Sequence, residues 1–155
     1  MRRFSFILVV LFLLNACTND GKSYEDYMET ITSTTWEYDV KAIVADVEQV
    51  GASNADIDRV RTIMTRLQNS KWDFQRGGVL EIGDLGTLQG GTWELDMRSS
   101  TMLITVYGTV PTTPMPILEI SPDRMVLGPP EGQKDKSGLN FKRIFRPVAQ
   151  PDEQK

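Results

Sequence analysis

Hydrophobic and polar residues follow three rhythms along this chain. From Phe4 to Leu14 every residue except Ser5 is apolar. Between Val40 and Leu67 the apolar residues recur at helical spacing instead. Val40, Ile43, Val44, Val47 and Val50 make one stripe, and Ile57, Val60, Ile63 or Met64, and Leu67 make a second. Such stripes predict helices that rest one face on something apolar. Gly51 breaks the first stripe, and Ser53 with Asp56 three residues on offers an N-cap for the second. After Ser70 the rhythm shortens to runs punctuated by turn residues. The runs are Trp72–Phe74, Val79–Ile82, Thr92–Met97, Thr101–Tyr107, Ile117–Ile120, Met125–Leu127 and Leu139–Phe145. Gly77-Gly78, Gly90-Gly91, Arg98-Ser99-Ser100 and Ser121-Pro122-Asp123-Arg124 separate them and read as turns. Connections this short make consecutive strands antiparallel hairpins. Trp93, Leu95 and Met97 alternate with Glu94 and Asp96, which predicts a strand with one buried face. Thr34–Tyr38, ahead of the helices, supplies an eighth strand. The prediction is a mainly β fold: a small antiparallel eight-strand meander that closes into a barrel, with one or two helices inserted after the first strand.

The first apolar run is short. Eleven residues at ~1.5 Å each cover roughly 16 Å, about half of a ~30 Å hydrocarbon core. Preceded by Arg2-Arg3, the run reads as a secretory signal. It ends in Leu14-Asn15-Ala16-Cys17, which resembles the lipobox of bacterial lipoproteins, and Cys17 is the single cysteine. That resemblance implies cleavage before Cys17, three acyl chains on it, and stable anchoring in the cell envelope, with the outer membrane as the expected site. The expected organisation is a signal at 1–16, a lipid-anchored tether at 17–32, a barrel domain at 33–148 and a disordered tail at 149–155. The tether is polar apart from Tyr24, Tyr27, Met28 and Ile31. A short helix there is the alternative reading.

Trp36 on the first strand, Trp72-Asp73-Phe74 followed by Gly77-Gly78, Gly91-Thr92-Trp93 and Phe141-Lys142-Arg143 together resemble the lipocalin-like domain of many envelope lipoproteins. The resemblance spans roughly residues 34 to 147. It implies a barrel interior lined by Trp36, Trp72, Phe74, Trp93, Phe141 and Arg143, and an Arg of the last strand lying over the first-strand Trp. Alternation independently puts Leu139, Phe141, Arg143 and Phe145 on one inward face. An inward guanidinium needs a partner, and the face of Trp36 would supply ~0.5–2 kcal/mol. The alternative is an Arg143 that wets its head at the barrel mouth while its stem packs.

Composition narrows the chemistry further. The chain carries a net charge of −4, and without Arg2 and Arg3 it has 15 basic against 21 acidic residues, or −6. An acidic surface gains nothing from phosphate, so nucleic acid is not an expected partner. With no histidine and with Cys17 committed to lipid, the Ser-His-Asp and Cys-His arrangements and zinc sites are excluded. No glycine loop for phosphate appears, and no metal or cofactor is expected. Glu94 and Asp96 are the best candidates for a carboxylate pair, but alternation turns both away from Trp93 to a solvated face. The chain is therefore read as a binding protein rather than an enzyme. Its expected partners are the membrane, through the lipid, and either a small apolar ligand or an envelope protein. The interior aromatics could line a cavity for that ligand, or could fill a small barrel completely and leave a structural or accessory lipoprotein.

Overall fold

The computed structural model describes residues 22–84, 87–109, 114–130 and 141–149; Cys17 and the signal lie outside them. Eight strands follow one another around a closed barrel, each antiparallel to its neighbours. They are β1 (Trp36–Tyr38), β2 (Lys71–Phe74), β3 (Val79–Asp84), β4 (Thr87–Asp96), β5 (Thr101–Val106), β6 (Met115–Ser121), β7 (Arg124–Leu127) and β8 (Arg143–Pro147). Closure is made by β1 against β8, with Trp36 opposite Pro147, Glu37 opposite Arg146 and Tyr38 opposite Phe145.

Both helices expected from the stripes are present between β1 and β2: α2 (Val40–Gln49) and α3 (Asn54–Leu67). Ile43 and Val47 of the first stripe, and Val60 and Met64 of the second, are buried in the common core. Asp39 accepts from the Ala42 N–H at 2.9 Å and caps α2, while its own N–H donates to the Ile144 carbonyl of β8 at 2.9 Å. At the other end of α2, Gly51 takes φ +77, a conformation that L side chains resist. There the Gly51 and Ala52 N–H groups donate to the Glu48 and Val47 carbonyls, the two bonds that close a helix in a Schellman turn. Ser53 caps α3 as its position suggested, accepting from the Asp56 N–H at 3.2 Å.

Three expectations need correction. Tyr24–Thr32, read as part of the tether, is a helix, α1, closed at its start by a reciprocal Ser23–Asp26 capping box. Met28 and Ile31, four and one residues from its end, are buried, and the helix packs on β6 and β2. Gly90-Gly91 is not a turn. Both glycines lie inside β4, where Gly91 faces Leu80 on one side and Val106 on the other. A Cβ on Gly91 would stand 2.4 Å from the Thr105 carbonyl oxygen, so Gly91 is needed for close strand approach, whereas one on Gly90 would meet only the Tyr107 ring. Finally, β8 begins at Arg143; Phe141 precedes it and lies outside the strand, and Leu139, the expected start of the run, is outside the described residues.

Candidate functional site

Inward-facing rings form one continuous cluster. Tyr38 stacks on Phe145 with centroids 4.6 Å apart, and Trp72 meets both edge-on at 5.4 and 5.7 Å. Phe74 stacks on Trp72 at 6.4 Å and meets Trp93 edge-on at 5.6 Å. Edge-to-face and offset contacts at these separations are the favourable ones for aromatic quadrupoles. Leu80, Met102, Met115, Met125 and Leu127 fill the space around the rings, and all are fully buried. The methionines matter here because unbranched thioethers adapt to gaps that rigid rings leave.

Each predicted interior residue can now be placed. Trp36, Trp72, Phe74 and Trp93 are all inside. The Trp36 indole N–H donates to the Ile31 carbonyl at 2.9 Å, satisfying one of the carbonyls that the last turn of α1 leaves unpaired. The Trp93 indole donates to the Gln75 carbonyl at 3.0 Å. Among the described residues the Trp72 indole N–H has no partner, which costs ~1–3 kcal/mol. Phe141 is not in the interior. It borders a pocket of about 340 Å³ under the helix pair, with Val47, Ala52, Val60 and Pro129 as its apolar lining. At the rim, Lys142 Nζ pairs with Asp46 at 2.5 Å.

Arg143 does not reach Trp36. Register places Trp36 opposite Pro147, four residues or ~13 Å along β8 from Arg143. The guanidinium instead meets the Met115 sulfur at 3.0 Å. It also acts electrostatically on Tyr38: burial pushes the Tyr38 phenol up from its ordinary range, and the Arg143 charge pulls the other way. The inward parity of Arg143 is right, but register sets it two residues beyond Phe145, the partner of Tyr38, and so past the end of β1.

Outside the barrel the wall has two characters. On β2, β1 and β8, Lys71, Glu37 and Arg146 stand side by side in register. Arg146 Nε donates to Glu37 Oε1 at 2.9 Å, and Lys71 pairs with Glu37 Oε2. Burial works to raise the Glu37 carboxyl, but the hydrogen bonds and charges of Lys71 and Arg146 together outweigh it and hold it below the ordinary value. On β3, β4 and β5 the outward positions carry Glu81, Glu94 and Asp96 among Val79, Thr92, Leu103 and Thr105, and no Lys or Arg. Asp96 accepts from Ser99 Oγ at 2.8 Å and from the Arg98 N–H at 2.9 Å. Those bonds hold its carboxyl below the ordinary range, the opposite of what a general acid needs. A trough of about 600 Å³ runs along this wall, lined by Glu94, Asp96, Thr101, Leu103, Pro114 and Pro116 with Ser99 at its end. A third cavity lies where α1 meets β2 and β8, bordered by Thr32–Thr35, Asp73 and Val148. None of the three is lined by the interior rings. Among the described residues there is no cluster of acidic or sulfur ligands able to hold a metal ion, and no helix long and apolar enough to cross a membrane.

Sequence reasoning missed Tyr38, the pocket under the helices and the charged ladder at closure. Alternation on β1 did carry the signal for the ladder, since Glu37 lies between two inward aromatics and must face out.

Neither a protein-family model nor a curated protein sequence matches the chain. Among solved structures it is similar to a DUF4847 family protein from Bacteroides vulgatus ATCC 8482. The two are 16% identical with a TM-score of 0.49, and the match covers 79% of this chain and 98% of that one. At that level the similarity carries no argument about fold or function.

Proposed function

We propose that this chain is a membrane-tethered accessory lipoprotein whose filled barrel is a rigid body and whose outer surface engages another envelope component. One observation carries the reading. The ring cluster of Tyr38, Trp72, Phe74, Trp93 and Phe145 occupies the place where a hollow barrel would hold its ligand. Strands of three to seven residues, apart from the ten-residue β4, make a barrel that side chains alone can fill. The tether rests on the Leu-Asn-Ala-Cys sequence at 14–17. Two measurements test the proposal. Titration with an apolar fluorophore is expected to leave tryptophan emission unquenched; saturable quenching of Trp72 and Trp93 would sink the filled-barrel reading. Cys17→Ser is expected to move the protein out of the membrane fraction, and mass spectrometry of the wild type to find an acylated Cys17 at the mature terminus. An unmodified cysteine there removes the tether.

A second reading is favoured by the pocket under the helices. Its lining of Val47, Ala52, Val60, Pro129 and Phe141 suits a small apolar group outside the barrel. Fluorophore binding abolished by Phe141→Asp, with tryptophan emission unchanged, would select that reading.

A further inference from the structure

We infer that the outer wall of β3, β4 and β5, together with its trough, is a docking surface for an extended basic segment of a partner protein. The inference rests on the accessory reading and names the surface and the chemistry of its partner.

Exposed apolar groups on this wall come first. Leu88 is 73% exposed and Tyr107 62%, and pairing of β4 with β5 sets them on adjacent strands at the same end of the wall. Tyr107 follows β5, and its N–H donates to the Gly90 carbonyl. Its ring lies across Gly90, where a Cβ would come within 3.2 Å of it. The glycine leaves room for the ring against the wall, and the residue stays mostly exposed. Toward the far end the sheet carries Thr92, Thr105 and Leu103 and reaches the trough with Pro114 and Pro116. A strip of apolar and hydroxyl groups therefore runs the length of β4, as an extended peptide would.

Charge selects the occupant. Glu81 and Glu94 have no ion-pair or hydrogen-bond partner among the described residues, whereas Glu37 on the opposite wall has two cations. On the adjoining strand β2, Lys71 is committed to Glu37, and Arg98 lies in the turn after Asp96. Carboxylates left unpaired beside exposed apolar groups attract lysine or arginine and repel anionic lipid headgroups. A basic protein segment fits, and a membrane surface does not.

The test uses the full chain in zwitterionic detergent and follows backbone amide signals by NMR. The probe is a ten-residue peptide alternating Lys with Val and Tyr, with its Glu-for-Lys counterpart alongside. Saturable shifts are expected at Thr92, Glu94, Leu103 and Thr105, weakening several-fold as salt rises from about 50 to about 500 mM. Glu94→Lys should weaken binding about tenfold, while Asp58→Lys, the same charge change on α3, should alter it less than about twofold. Equal binding of the Glu peptide, equal loss in the two variants, or no shifts at all would overturn the inference. Shifts confined to the helix pair or to β1 and β8 would overturn this surface while leaving the accessory reading intact. A neutral oligosaccharide such as chitohexaose moving Tyr107 while the basic peptide does not would overturn it in favour of a carbohydrate. Saturable quenching of the interior tryptophans, by contrast, is the outcome that removes the accessory reading itself.

Discussion

The barrel wall on β2, β1 and β8 and the wall on β3, β4 and β5 meet the same requirement by different means. The closing strands are short, with β1 only three residues long, and offer few ladder hydrogen bonds. Their outer face adds Lys71, Glu37 and Arg146 in register, each cross-strand neighbour opposite in sign. The far wall has long strands and needs no such help: β4 pairs over six residues with β3 and over six with β5. What it needs is close approach, which Gly91 permits. The lesson is that the wall held by charge commits its carboxylate to two cations, while the wall held by backbone leaves Glu81 and Glu94 without partners among the described residues.

Substitutions on the two walls separate these accounts. Gly91→Ala should have the largest effect, about 3 kcal/mol of destabilisation by denaturant unfolding, because the obstructing atom is a backbone oxygen that cannot swing aside. Gly90→Ala, one residue away, meets only the Tyr107 ring and should cost about 1 kcal/mol. If the two cost the same, close approach is not what holds this wall. Next comes Glu37→Gln. Lys71 and Arg146 stay 43% and 59% exposed, so solvent screens the pairs and the loss should be about 1 kcal/mol at neutral pH. The pH dependence has a definite sign. The carboxyl is more acidic folded than unfolded, so its contribution is complete above the ordinary glutamate range and is lost as pH falls through the lowered folded value. Thermal melts of wild type and Glu37→Gln should therefore converge in acid and separate at neutral pH. Smallest of all, Glu94→Gln should change stability by less than about 0.5 kcal/mol, since nothing in the fold leans on it. A loss as large as that of Glu37→Gln would erase the distinction between the walls.

How much of this was legible depends on whether the governing contact is local. The stripes on α2 and α3, the cap at Ser53 and the break at Gly51 were readable because helix geometry repeats within a few residues. Alternation likewise put Trp93 and Leu95 inside and Glu94 and Asp96 outside, as found. Gly90-Gly91 was misread because a glycine pair marks a turn by local rules, whereas here the Thr105 backbone on another strand demands it. Arg143 was assigned to the correct face but paired with the wrong ring, since alternation gives parity and not the register of β8 on β1. Phe141 was carried inward by extending the same alternation past the strand's start. α1 is taken for tether because its segment is polar overall, although Tyr24, Tyr27, Met28 and Ile31 fall at i, i+3, i+4 and i+7; what fixes the helix in place is docking on β2 and β6, far away in sequence. Whether the interior was hollow could not be read from ring count, because Tyr38 and three methionines complete the filling.

The bond from Trp36 to the Ile31 carbonyl has a mechanical consequence. In a chain anchored at Cys17 as proposed, α1 stands between the anchor and the barrel, so any pull on the body travels through it. Lys22 grips the Ile120 carbonyl at 2.6 Å and Trp36 holds the other end of the helix. Force would thus load the Lys22 clasp on β6 first, while the Trp36 clasp belongs to the β1–β8 seam itself, and the docked helix would act as a strain relief for the shortest strand of the barrel.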